Sequence, residues 1–456
     1  ARAQGCKSGR IIFRHILPNV MAPILVLFTL EIAVLILSEA SLSFLGFGVQ
    51  PPDASWGLMI ADGRAHIRSA WWLVLFPGLA IFLTALSLNL IAGWARAVTD
   101  PVACKTPQSG SQNMSQDITT LPGYDAAAPL LEVSDLCVTF GTHEGDVPAV
   151  SNVSFTLRPG ETLCVLGESG SGKSVTQMAV MGLIPTPPGR VSGTARFRGI
   201  EMTTASKATQ LALRGSGMAM IFQDAIAALN PALTVGYQIA EVFCARSGAS
   251  RAAGRKRAIE LMEQVAIPAA KERVDDYPFQ FSGGMCQRIV IAMALALDPK
   301  VLIADEPTTA LDVTVQRQVM ALLKQLGKEL DLALLLITHD LGVAAEQADR
   351  ILVMYAGQVV EEGPTDQIFA APRHPYTEAL LASMPDLAGV SDRLGVIDGS
   401  PPVLSRLPQG CAFQPRCQYA RELCKANRPV LQEAGDDRSS ACLRMDEIFG
   451  SEVVHV

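Results

Sequence analysis

Residues 167–174 read GESGSGKS, and this stretch decides the fold. It fits the phosphate-loop pattern of Gly, four residues, then Gly-Lys-Ser/Thr. Upstream, Glu161 to Leu166 is a short, mostly apolar run that predicts a buried strand; downstream, Val175 to Leu183 predicts a helix. Glycines 167, 170 and 172 let the backbone turn tightly and aim its amides at phosphate oxygens, with Glu168, Ser169 and Ser171 completing the loop. The helix N-terminus adds a partial positive charge. Lys173 is placed to reach β- and γ-phosphates, and Ser174 to set its hydroxyl on magnesium. A Gly/Ser-rich turn with an incidental lysine is the competing explanation. Eight fixed positions between a strand and a helix weigh against it, so the stretch predicts a nucleotide site in an α/β fold.

Further along, Val301-Leu302-Ile303-Ala304-Asp305-Glu306 is an apolar strand ending in two acids. The first acid suits magnesium, held through water; the second stands where a water must lose a proton as it attacks a γ-phosphate. Alone, such an ending is often a solvated turn. Coming 132 residues after Lys173, it gains a chemical meaning. Ser282, Gly283 and Gly284, in FSGGM at 281–285, open an apolar helix running from Ile289 to Leu297. Glycine amides at a helix start form another anion site. Because the phosphates already have a cradle, this second site makes sense on a nucleotide held by a partner. A simple helix cap satisfies the same residues.

Working outward, the chain has 456 residues, too many for one core. Its 49% hydrophobic content is concentrated in the first hundred residues. Ile24 to Leu42 is almost continuously apolar, with Glu31 and Glu39 as its charges. Ala70 to Ala92 is a second run, flanked by Trp71, Trp72 and Trp94. Each approaches the roughly 20 residues needed to cross a bilayer, so two transmembrane helices are expected, with buried core helices as the alternative. Arg2, Lys7, Arg10 and Arg14 precede the first run, and Arg96 and Lys105 follow the second. The positive-inside rule then puts both ends in the cytoplasm. The first residue is Ala1, and no signal-peptide pattern follows, which suggests a fragment or a processed product. The net charge of -7 argues against nucleic acid as a partner.

Thr99 to Pro129 is rich in Ser, Gln, Thr, Gly and Pro and reads as a linker. From Leu130, strands expected at Leu131–Phe140, Val150–Leu157, the phosphate-loop strand, Ala219–Phe222, Val301–Ala304, Leu332–Ile337 and Ile351–Tyr355 alternate with helical stretches. Between Asp224 and Gln280 the pattern turns mainly helical and suggests an inserted subdomain.

Together these residues resemble the ATP-binding cassette family over about Leu130 to Pro375. The resemblance implies that Phe140 stacks on adenine. It makes Gln223, in MIFQD, the link from magnesium and the attacking water to a transmembrane partner, and FSGGM the signature loop. Ala310-Leu311-Asp312 would then cross a dimer interface, and His339, after LLLIT, would contact the γ-phosphate. Cys286 departs from the pattern, since arginine usually follows GGM. EPTTALDVTVQ at 306–316, ALNP at 228–231 and HPY at 374–376 look like the dipeptide/oligopeptide (and nickel) importer branch. ARAQG followed by ILPN, and SEASLSFLGFGVQPPDASWG at 38–57, resemble the end of that system's permease.

The implied layout is a permease fragment at 1–99 with a coupling loop and two spans, then a linker at 100–129. The P-loop cassette follows at 130–375 with its helical subdomain at about 224–285, and a small extension ends the chain at 376–456. The implied activity is ATP hydrolysis driving uptake of di- or oligopeptides, or of nickel or another small solute. Implied partners are a second, different cassette subunit, permease subunits and an external solute-binding protein, at a bacterial inner membrane with the cassette on the cytoplasmic side. A soluble cassette ATPase conflicts with the two apolar runs. A membrane-tethered cluster protein with a vestigial ATPase conflicts with intact Lys173, Asp305, Glu306 and His339.

Cys411, Cys417, Cys424 and Cys442 are separated by five, six and seventeen residues. Disulfides are disfavoured in a cytosolic domain. Four thiolates so close suggest a metal or cluster, yet no CxxC knuckle of the zinc type occurs. GCAFQPRCQYARELC resembles the cysteine-bearing extension of peptide-importer ATPases, which implies a [4Fe-4S] cluster; zinc and free thiols remain open. A staple for a core-poor extension is the plain role, and redox regulation the sharper one.

Overall fold

The computed structural model describes residues 31–49, 53–99, 118–142, 145–309, 311–384 and 397–450, save 33, 46 and 436; side chains of 88–99 are not described. The expected coupling loop, the start of the first apolar run and Ala310 therefore lie outside the described residues. Two compact units divide the chain, 1–111 and 112–456.

In the first unit residues 34–44 are helical. Ser55 caps the next helix, Trp56–Gly63, by accepting the amide of Leu58, and a third helix runs Trp72–Thr99 with Pro77 inside its first turns. Small residues let these helices close in. A Cβ on Gly57 would fall 2.2 Å from the Ala40 carbonyl oxygen, and one on Gly63 3.0 Å from Val74. Leu35, Leu37, Phe44, Leu75, Phe76 and Phe82 all face outward. Among the described residues no helix is long and apolar enough to cross a membrane. The two expected spans are thus not seen as such: the first falls partly on residues outside the description. The second has described side chains only as far as residue 87.

Among the described residues of the second unit, twelve strands run in chain order: β1 (Leu131–Thr142), β2 (Gly145–Leu157), β3 (Thr162–Leu166), β4 (Gly189–Phe197), β5 (Ile200–Glu201), β6 (Met218–Ile221), β7 (Val301–Asp305), β8 (Ala333–Ile337), β9 (Arg350–Tyr355), β10 (Gln358–Pro364), β11 (Gln432–Glu433) and β12 (Ser439–Ser440). An antiparallel sheet has the order β2-β1-β4-β5; the main sheet has the order β11-β12-β10-β9-β3-β8-β7-β6. Within it β9, β3, β8, β7 and β6 are parallel. Their sequences explain this, because β3, β7 and β8 are apolar throughout save Thr162 at the start of β3 and Asp305 at the end of β7, which suits a sheet covered on both faces. Successive residues point to opposite sides. Ala333, Leu335 and Ile337 enter the core shared with the antiparallel sheet and the Lys173–Val180 helix. Leu334 and Leu336 enter the core shared with the helices between residues 225 and 326.

The helical subdomain is built from Ala225–Ala228, Val235–Ser247, Arg251–Gln264, Ala270–Arg273 and Gly283–Ala294. Residues 118–129, inside the stretch taken as linker, pack on the antiparallel sheet. Leu121 is buried there, and Arg198 donates to the carbonyls of Ala126 and Ala128 at 2.7 and 2.9 Å. The cysteine-bearing extension is not a separate lobe. Its β12 pairs with β10, and buried Arg438 donates to fully buried Glu361 at 2.9 Å. Burial pushes the Glu361 carboxyl up, and bonds from Thr377, Arg438 and the Arg373 amide oppose that push.

Candidate functional site

The main sheet sets the site. In parallel sheets ligands gather outside the carboxyl ends of the strands. Here the phosphate loop leaves β3, Gln223 follows β6, Asp305 ends β7 and His339 follows β8. Two glycines are forced by their surroundings. Gly167 has φ 151° and lies where a Cβ would meet the Met354 carbonyl oxygen at 2.3 Å; Gly172 has φ 99° and would meet that of Ala149 at 2.7 Å. Only a residue without a side chain lets the loop lie this close to its neighbours. Gly170 is also left-handed and faces open space. Ser171 is buried, and its amide donates to the Glu168 carbonyl at 3.2 Å; Ser169 is exposed.

Lys173 is 6% exposed and donates to the carbonyls of Gly167 and Glu168 at 2.7 and 2.9 Å. Burial pushes its ammonium pKa down, against the pull of Glu306, Asp305 and Glu168. A buried cation with only carbonyl partners is a ready receptor for anionic phosphate. Ser174 Oγ donates to Asp305 Oδ1 at 3.1 Å. Burial pushes the Asp305 carboxyl up, and the Ser174 bond and Lys173 oppose it. A divalent cation between these two groups would relieve the buried carboxylate.

Glu306 is the most heavily engaged side chain of the site. Gln223 Nε2 and Thr309 Oγ1 each donate to its Oε2 at 2.9 Å, and His339 Nδ1 lies 3.2 Å from its Oε1. Burial pushes this carboxyl up, yet the bonds from His339 and Thr309, together with the charges of His339 and Lys173, hold it below its ordinary value. Its backbone is left-handed at φ 46°, a strained conformation for a residue with a Cβ. A cavity of about 350 Å³ lined by Leu166, Gly167, Glu168, His339, Leu380, Ser383 and Ile397 opens beside the loop.

The other expected residues sit as follows. Phe140 is partly buried against the core under the antiparallel sheet. Ser282 accepts the Met285 amide and caps the Gly283–Ala294 helix; a Cβ on Gly284 would meet Val315 at 2.3 Å. Asp312 caps the Val313–Leu330 helix by accepting the amides of Thr314 and Val315, and Leu311 packs against the core. The structure thus gathers Lys173, Ser174, Asp305, Gln223, Glu306 and His339 and leaves Ser282–Gly284 on a different element. Cys286 is buried, its thiol 3.5 Å from the Pro278 carbonyl.

Thr309, Tyr376 and Arg416 were not expected at the site. Thr309 was within reach of sequence reasoning, lying three residues after Glu306. Tyr376 and Arg416 lie 208 and 248 residues from the loop they touch.

The four cysteines converge on one apolar cavity of about 20 Å³, together with Pro375, Phe413 and Tyr419. Burial pushes the Cys411 and Cys417 thiols up and that of Cys442 to about 11. Among the described residues, no group of three or more His, Cys, Asp or Glu is placed to hold a metal ion. The expected iron–sulfur cluster, and the zinc alternative, therefore gain no support from the side-chain placement.

Comparison with known proteins adds the following. Residues 150–309 match the ABC transporter family, and residues 360–424 match the C-terminal region of oligopeptide/dipeptide transporters. Residues 1–102 match the inner membrane component of binding-protein-dependent transport systems. The chain is 51% identical over 315 residues to a Brucella abortus protein named for peptide import and ATP binding, covering 69% of this chain and 95% of that protein. It is 48% identical over 331 residues to the oligopeptide transport ATP-binding protein OppD of Salmonella typhimurium, covering 73% and 98%. It is also 48% identical over 313 residues to the dipeptide transport ATP-binding protein DppD of Escherichia coli, covering 69% and 96%.

Proposed function

The chain belongs to the ATP-binding proteins of peptide ABC importers, and from that premise we propose how its residues divide the work and what it works with. It is an ABC-type transport ATPase. The proposed cargo is a di- or oligopeptide. The observation that carries the proposal is the convergence of Lys173, Ser174, Asp305, Gln223, Glu306 and His339 at the carboxyl ends of neighbouring strands. Lys173 and the amides of residues 167–174 hold the phosphates, and Phe140 stacks on adenine. Ser174, Gln223 and Asp305 would hold Mg2+, which would screen the phosphate charge. Glu306, with three donors, orients the attacking water and takes its proton. His339 supports Glu306 and faces the γ-phosphate.

Ser282, Gly283 and Gly284 act on the nucleotide of a second cassette, a different chain, and Ala310–Asp312 lie at that interface. The proposed layout is a permease fragment at 1–99, a linker at 100–129, the cassette at 130–375 and the extension at 376–456. Two transmembrane helices in the fragment would place the chain at a bacterial inner membrane with the cassette in the cytoplasm. Further permease subunits and an external solute-binding protein would complete the pathway. Support comes from the permease match and the apolar outward face of residues 34–86. Cys411, Cys417, Cys424 and Cys442 are read as ligands of a [4Fe-4S] cluster, with zinc the alternative. This reading rests on the spacing of the four cysteines in the sequence, and no step of hydrolysis runs through them.

Purified variants test the roles. Lys173→Ala should lose ATP binding by about two orders of magnitude, the scale of a charge-assisted contact to phosphate. Glu306→Gln should bind ATP normally and hydrolyse it at least about a hundredfold more slowly, as loss of a group acting on the attacking water predicts. Normal turnover by Glu306→Gln would overturn the assignment.

A further inference from the structure

The cysteine-bearing extension reaches the phosphate loop directly. Arg416, immediately before Cys417, has a side chain only 5% exposed. Its Nη1 donates to Glu168 Oε2 at 2.7 Å and its Nη2 to Glu168 Oε1 at 3.0 Å, a bidentate pair. Nη1 also donates to the Tyr355 hydroxyl at 3.3 Å, Nη2 to the Ile397 carbonyl at 3.5 Å, and Nε to the Asp398 carbonyl at 3.0 Å. All five guanidinium N–H groups are therefore partnered, unlike the loose, exposed ion pairs that contribute little.

Glu168 is the second residue of the phosphate loop, and three links meet on it. Its carboxylate takes Arg416, its amide donates to the Tyr376 hydroxyl at 2.9 Å, and its carbonyl accepts Lys173 Nζ at 2.9 Å. The groups behind these links are themselves packed. Tyr355 and Tyr376 have ring centroids 4.6 Å apart, and Phe413 of the extension stands edge-on to both at 5.3 and 5.4 Å. Phe413 is 3% exposed. A wedge from the extension thus fixes the tyrosine that holds the Glu168 amide, and Arg416 fixes its carboxylate. The carbonyl that receives Lys173 is clamped from both sides.

We propose that Arg416 is a positioning residue for the phosphate loop: through Glu168 the extension holds the loop and Lys173 in the arrangement that receives ATP. This rests on the nucleotide-site reading above and deepens it. A loop released from the clamp must be ordered at the moment of binding, and that ordering weakens affinity. The chemistry of hydrolysis, carried by Glu306 and its donors, is left in place.

The test is the dissociation constant of a fluorescent ATP analogue for the full chain, with the unfolding midpoint measured without nucleotide. Arg416→Ala should weaken binding roughly five- to tenfold, the net scale of one ordinary hydrogen bond, because Arg416 acts through Glu168 and does not touch the phosphate, and Arg416→Lys should recover part of the loss. Glu168→Gln, which leaves the extension intact, should weaken binding similarly, and adding Arg416→Ala to it should cost little more. A merely structural role would lower the unfolding midpoint and leave the dissociation constant of the folded protein unchanged; that result overturns the proposal. Should Arg416→Ala fail to fold, Glu168→Gln alone decides, and wild-type affinity there overturns it too. Lys173→Ala separates the two levels. Undiminished binding by that variant defeats the site assignment and this proposal together. Loss of binding there, with wild-type affinity in Arg416→Ala, defeats this proposal alone.

Discussion

Glu306 concentrates the chemistry of the site in one side chain. It takes three donors, from Gln223, Thr309 and His339, on a backbone at φ 46° that costs about 1–3 kcal/mol for a residue with a Cβ. The neighbours hold that strain, and the donors decide the titration. Burial alone would raise the carboxyl; the bonds from His339 and Thr309, with the charges of His339 and Lys173, lower it. A reaction needing the charged carboxylate therefore keeps its rate as pH falls through the usual glutamate range near about 4.3, and loses it only below. His339→Ala removes one lowering donor and leaves burial unopposed by it, so the acid limb of the turnover profile should move to higher pH. The profile of kcat against pH, wild type beside His339→Ala, checks this, and an unmoved limb counts against the pairing. The phosphate loop, the two acids and His339 were all legible because each sits at a fixed offset from an apolar strand. Arg416 was not: nothing local marks an arginine that will fold onto Glu168, 248 residues away.

At the scale of elements, the strands with unbroken apolar runs were the readable ones. β3, β7, β8 and β9 fall within a residue or two of their expected bounds. β4 and β10 were missed for physical reasons. β4, GRVSGTARF, alternates small and polar residues on a half-exposed sheet; β10, QVVEEGP, buries Glu361 and half-buries Glu362, both of which look like surface charge in the sequence. Glu361 tolerates full burial because Arg438 and the amides of Arg373 and His374 satisfy it. The extension was expected to be poor in core, and it instead borrows one, through β12 on β10 and Phe413 beside Tyr355 and Tyr376. The same arrangement bears on the cysteines. Anaerobically purified protein should carry about four irons per chain and absorb near 400 nm if the four thiols ligate a cluster, and Cys417→Ser should lose both. One zinc and no iron, or no metal at all, would remove the cluster from the account.

For the whole molecule, the cassette, the permease match at 1–102 and the C-terminal match at 360–424 describe one transport machine drawn from several parts. Ser282–Gly284 open the Gly283–Ala294 helix, a different element from the phosphate loop, and in the proposed arrangement they act on the nucleotide of a second cassette. Hydrolysis is therefore expected to drive uptake only in the assembled importer. The most direct measurement is uptake of radiolabelled trialanine into proteoliposomes holding this chain, its permease partners, the second cassette and the binding protein, with ATP enclosed on the cassette side. Wild-type chain should accumulate peptide in an ATP-dependent manner, and Glu306→Gln, assembled to the same level, should bind ATP and accumulate essentially none. Uptake by Glu306→Gln equal to wild type would contradict the claim that this site powers peptide import.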